Sequence, residues 1–67
     1  MKTWKRIGSV ESSDVLRAHS TFGAQGWQLR GDLPSDAPPR AIGRYERAGR
    51  EAVLVQEYRT FTMYLGA

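Results

Sequence analysis

The stretch Phe22-Gly23-Ala24-Gln25-Gly26-Trp27-Gln28-Leu29, FGAQGWQL, stands near the middle of a 67-residue chain, and its reading decides how the rest folds. A Gly-x-x-Gly loop can clamp a nucleic-acid backbone when a second helix follows it directly, as in KH domains. It can also be the bend where one element stops and another starts. The flanking periodicities separate the two. Upstream, Val15, Ala18, His19 and Phe22 recur at the i, i+3, i+4, i+7 spacing of one helix face, with Leu16 widening the stripe. Ser12 or Ser13 supplies a capping oxygen, and Asp14 suits the positive end of the helix dipole. The helix is expected to end at Phe22, with Gly23 in the left-handed conformation that glycine adopts without steric cost. Downstream, Trp27, Leu29 and Leu33 alternate with Gln28, Arg30 and Asp32, the pattern of a half-buried strand, and Gly31 and Pro34 oppose a helix. The glycines therefore read as a helix-to-strand junction, not a clamp.

Working outward, Lys2 to Ile7 reads as a short first strand on the β preference of Thr3, Trp4 and Ile7. Pro34 to Arg40 holds three prolines and reads as the one long loop, a surface connection or a docking segment. From Ala41 onward the chain reads as a hairpin turning near Gly49, with a long second arm rich in Val, Tyr, Thr and Phe. An amphipathic helix over part of Glu51 to Phe61 is the competing reading. On the arm, Val53, Val55, Phe61, Met63 and Leu65 share one parity, and Leu54, Tyr58, Thr60, Thr62 and Tyr64 the other. Glu57 and Arg59 interrupt the apolar face, so a bulge or a change of partner is expected near them. The fold expected is α+β: one helix packed on a small, mainly antiparallel sheet, strand-helix-strand and then hairpin. The core is expected to hold Trp4, Val15, Leu16, Phe22, Trp27 and Leu29.

A single domain of this length buries only ~60% of the surface its unfolded chain exposes, so further stabilisation is expected. With no Cys and one His, the disulfide and metal routes are nearly closed, and self-association is the one left open. No run approaches the roughly 18 apolar residues of a membrane span, and the N-terminus lacks the apolar core of a signal peptide. The chain is thus expected to be a complete, soluble, cytoplasmic protein without a membrane role. Ten basic against seven acidic side chains give a charge of +3, carried mostly by arginine. That balance permits an anionic partner and is equally met by a solvated surface.

Catalysis finds little here. A nucleophile needs a base in reach and a group to orient it, whereas His19 lies on the apolar stripe and Asp14, five residues away, points elsewhere. Zinc and calcium sites need ligand clusters that the chain lacks, and neither phosphate-binding glycine pattern occurs. Glu46 and Glu51 can face each other across the hairpin as a carboxylate pair, and read more simply as surface charges balanced by Arg44, Arg47 and Arg50. The expectation is a non-enzyme with no cofactor.

Trp4, and then Gly23, Gly26, Trp27 and Leu29, also carry a resemblance. The chain resembles a small bacterial, archaeal and phage domain of unknown function, with a Trp in a short first strand and a helix ending in Gly-x-x-Gly-Trp-Glu-Leu. Gln28 stands where Glu is usual, and Tyr45, Glu46 and Arg47 stand near its closing aromatic-Lys-Arg triplet. The match covers roughly residues 1–47, so residues 48–67 form an added C-terminal β arm. Lys5 and Arg6 depart from the acidic-aromatic pair typical of that domain. The resemblance implies one helix on a small antiparallel sheet and no assigned activity.

Both faces of the arm carry large apolar side chains, and a long apolar edge strand is a template for another chain. The leading expectation is an interaction module that self-associates through Tyr58, Phe61, Met63, Tyr64 and Leu65 and binds a protein partner or a small anionic ligand. The alternative is a nucleic-acid binder using Arg30, Arg44 and Arg59 beside exposed tyrosines. The phage members of the resembled domain imply a third role, an inhibitor of a host protein or a sponge for a nucleotide signal.

Overall fold

The computed structural model describes residues 3–66. Its helix α1 (Val15–Ala24) runs past Phe22 and stops in a Schellman turn. The Trp27 N–H donates to Phe22 O at 3.2 Å and the Gly26 N–H to Gly23 O at 3.0 Å, which pairs carbonyls the helix end would leave open. The left-handed residue is therefore Gly26, at φ 98°, not Gly23, which is the last residue but one of α1. At the other end Asp14, not Ser12 or Ser13, is the cap: its side chain accepts from the Leu16 N–H at 3.0 Å. Ser12 Oγ accepts from the Asp14 N–H instead.

The strands are β1 (Trp4–Glu11), β2 (Gln28–Arg30), β3 (Ala41–Arg47), β4 (Arg50–Glu57) and β5 (Thr60–Gly66). The first begins and ends later than the sequence suggests; Lys2 lies outside the described residues. They form one antiparallel sheet in the order β1-β5-β4-β3-β2, so the architecture is α+β. The expected hairpin is present. Ala48 and Gly49, at φ 50° and 77°, make the two-residue turn whose positive angles match the strand twist. The long arm is not one strand: it reverses at Tyr58 and Arg59 to give β4 and β5, and no helix occupies Glu51 to Phe61.

That second turn changes which residues share a face. Leu54 pairs with Met63 and Val53 with Tyr64, so Ala52 and Leu54 join Phe61, Met63 and Leu65 under the helix. There, with Ala18, Phe22, Trp27 and Tyr45, they form the core. Val53, Val55 and Thr62 lie on the opposite face and are also buried. The proline segment lies across that face. The Trp4 indole N–H donates to Asp36 O at 3.0 Å, Arg44 Nε to Asp32 O at 3.0 Å, and the Gln56 N–H to Arg40 O at 3.2 Å. One small domain thus covers both faces of its apolar arm.

Leu16 and Leu29 are not in the core. Leu16 is 70% exposed because Val15, Ala18 and Phe22 take the sheet side of α1, and Leu29 is 57% exposed on the three-residue edge strand β2. Trp4 is half-buried on the loop-covered face.

Candidate functional site

The interface expected along the arm is mostly inside the molecule. Strand β5 lies between β1 and β4 and is not an edge, and Phe61 and Met63 are fully buried. Tyr64 and Leu65 are half-buried. Tyr58 alone of that set stands out in solvent, at 94% exposure. It occupies the tip of the β4–β5 turn at φ 57°, a left-handed conformation that costs a bulky side chain energy and is uncommon outside glycine and asparagine.

A second such residue stands beside it. Arg40, at φ 67°, closes the proline segment as it enters β3. Together with Ile42 and Gln56, Arg40 and Tyr58 line an open cleft of about 390 Å³. Ile42 is exposed because β3 is irregular there, Ala41 pairing with Val55 and Gly43 with Leu54. On the other side of Arg40 a cleft of about 330 Å³ is walled by Pro38, Pro39, Val55, Glu57 and Tyr64. The Tyr64 hydroxyl donates to Glu57 Oε1 at 3.5 Å. Arg40 is the wall the two clefts share.

The opposite end of the sheet is charged. Glu46 and Glu51 do face each other, and Arg44 Nη1 reaches both, at 3.6 and 3.5 Å. Arg30 Nε lies 3.8 Å from Glu46. Arg30 and Arg44 are register partners, but their charges are largely met by these carboxylates. Arg59 lies in the β4–β5 turn at the far end of the sheet, so Arg30, Arg44 and Arg59 do not make one surface. His19 is half-buried and shares a hydrogen bond through Nδ1 with the Tyr45 hydroxyl. Burial pushes the Tyr45 phenol from its ordinary 10.0 up to about 12. Among the described residues no group of three or more His, Cys, Asp and Glu is placed to hold a metal ion, and no helix is long and apolar enough to cross a membrane. No protein family, curated protein or solved structure matches this chain.

Sequence reasoning found Tyr58 and missed Arg40 and Ile42. Nothing in an Arg following two prolines signals a left-handed backbone, and the exposure of Ile42 follows from an irregular register that alternation does not reveal.

Proposed function

We propose that this chain is a non-enzymatic interaction module that pairs with a second copy of itself through the end of the sheet bearing Tyr58 and Arg40. The observation that carries the reading is the coincidence of two left-handed non-glycine residues on one cleft. Strain of this kind concentrates where a surface is used. Exposed Tyr58 and Ile42 supply an aromatic and aliphatic contact of the sort that anchors interfaces. Arg40 and Glu57 stand close by as a cation and an anion. A two-fold interface brings each patch against itself, so Arg40 of one copy can meet Glu57 of the other.

The sheet edges favour this end by default. Strand β2 is three residues long, and β1 carries a register shift between Arg6 and Gly8 together with exposed Lys5 and Arg6. Short strands, bulges and cations are the devices that block edge-to-edge pairing.

Sedimentation velocity tests the reading. The wild type is expected to dimerise at or below ~100 μM, with mass action setting the population. Tyr58→Gly is expected to stay monomeric. Because glycine removes the left-handed cost, the same variant gains roughly 1 kcal/mol of monomer stability in dilute solution, a rise of about 4–8 °C in Tm. A wild type monomeric at that concentration, or a Tyr58→Gly dimer as tight as the wild type, sinks the proposal.

A further inference from the structure

We infer that the opposite end of the sheet, around the Ala48-Gly49 turn, binds phosphate groups. The site is a polar cleft of about 290 Å³ between Gly26, Gln28 and Arg30 on one side and Arg47, Ala48 and Gly49 on the other, with Glu46 in its wall. Arg47 is held in place before any ligand arrives. Its guanidinium lies 4.6 Å from the centroid of the Trp27 ring and its Nη1 donates to Gln25 O at 2.7 Å. The remaining donors of its fork face solvent from a fixed position, which suits a phosphate oxygen and lowers the ordering cost of binding. Gly26 matters to this placement: a Cβ there would come within 3.2 Å of Arg47 Cδ.

Arg30 is likewise oriented, its Nη2 donating to Gln28 Oε1 at 3.3 Å. The carboxylate in the wall does not cancel the site, because Glu46 is already matched by Arg30 and Arg44. Counting this end of the sheet, Arg30, Arg44, Arg47 and Arg50 stand against Glu46 and Glu51, a surplus of two positive charges. The turn adds the N–H groups of Ala48 and Gly49, which lie between the paired residues Arg47 and Arg50 and have no partner in the ladder. Trp27 is buried beneath Arg47 and no aromatic face is open here, so the recognition is of the phosphate and not of a base.

The test is an amide-resolved NMR titration of the whole chain with inorganic pyrophosphate. Saturable shifts centred on Gly26, Ala48 and Gly49 are expected, with affinity falling as salt is raised. Arg47→Gln should weaken binding roughly tenfold, as for loss of a charge-assisted hydrogen bond. Since that change also uncovers Trp27, the half-exposed Arg30→Gln serves as the second variant and should weaken binding in the same direction. A nucleoside diphosphate and an oligothymidylate then separate the two sources of phosphate: tighter binding of the first assigns a free phosphate ester, and of the second a nucleic-acid backbone. Absence of saturable shifts with all three probes, shifts centred on another surface, or affinity unchanged in both variants overturns the site.

Discussion

Tyr45 shows how far one residue's chemistry is set by its surroundings. It is 2% exposed beneath the helix, and its hydroxyl is paired with His19. A phenolate there would lose its water, so burial holds the proton on and raises the pKa to about 12. In the unfolded chain the group titrates near its ordinary value of about 10. The native state therefore binds more protons than the unfolded state between pH 10 and 12, and stability must fall as pH rises through that window. The stabilisation is fully present below pH 10, and the loss is on the order of 2–3 kcal/mol once pH exceeds the folded value. Urea unfolding across this range should show the wild type losing stability with a steeper slope than Tyr45→Phe, which has no phenolic proton. Equal slopes for the two proteins would show that Tyr45 titrates no differently when folded.

Among the elements, the proline segment does the least expected work. Three prolines suggest a connection with little structure of its own, yet the segment shields Val53, Val55 and Thr62 from water on the face the helix leaves open. Its hold on the sheet includes the Trp4 indole N–H to Asp36 O bond, made across 32 residues of chain. Trp4→Phe keeps most of the aromatic bulk and removes that donor. The variant should lose about 1 kcal/mol, and amide exchange should quicken selectively in residues 31–40 and in the β4 amides beneath them. Uniform acceleration across the sheet would instead mean that the segment does not open separately. This element also marks the boundary of what the sequence discloses. The helix stripe Val15, Ala18, His19 and Phe22, the Ala48-Gly49 turn and the opposition of Glu46 to Glu51 are local patterns, fixed by spacing along the chain, and all were legible. The second turn was legible only as a break in the apolar face at Glu57 and Arg59; its reversal was not, because Tyr58-Arg59 contains none of the residues that favour positive φ. Without that reversal Val53 and Phe61 share one face, and an interior strand looks like an exposed arm. Leu16 and Leu29 failed for the complementary reason: apolar character marks a residue as fit for a core, and only the placement of its neighbours decides whether a core is there.

At the scale of the whole molecule, the order β1-β5-β4-β3-β2 combines two kinds of contact. Strands β3, β4 and β5 form a meander of tight turns, so their pairings join residues close in sequence. Strand β1 pairs only with β5, Trp4 opposite Gly66 and Val10 opposite Phe61, which closes the sheet over almost the entire chain. The entropy of closing such a loop must be met before its contacts return anything, so local pairings are favoured early and β1 docks late. Two truncations distinguish these stages. Val53→Ala removes buried methyl groups in β4 and should cost about 1–3 kcal/mol; if the meander is formed in the transition state, most of that cost appears as slower folding. Val10→Ala weakens the packing of β1 against the core and should leave the folding rate nearly unchanged while unfolding speeds up. Stopped-flow measurements in urea on both variants read the partition directly. The reverse assignment, slowed folding for Val10→Ala and faster unfolding for Val53→Ala, would place the long closure first. It would also mean that the sheet is organised around its outermost pair and not around the two hairpin turns that hold Gly49 and Tyr58 at opposite ends.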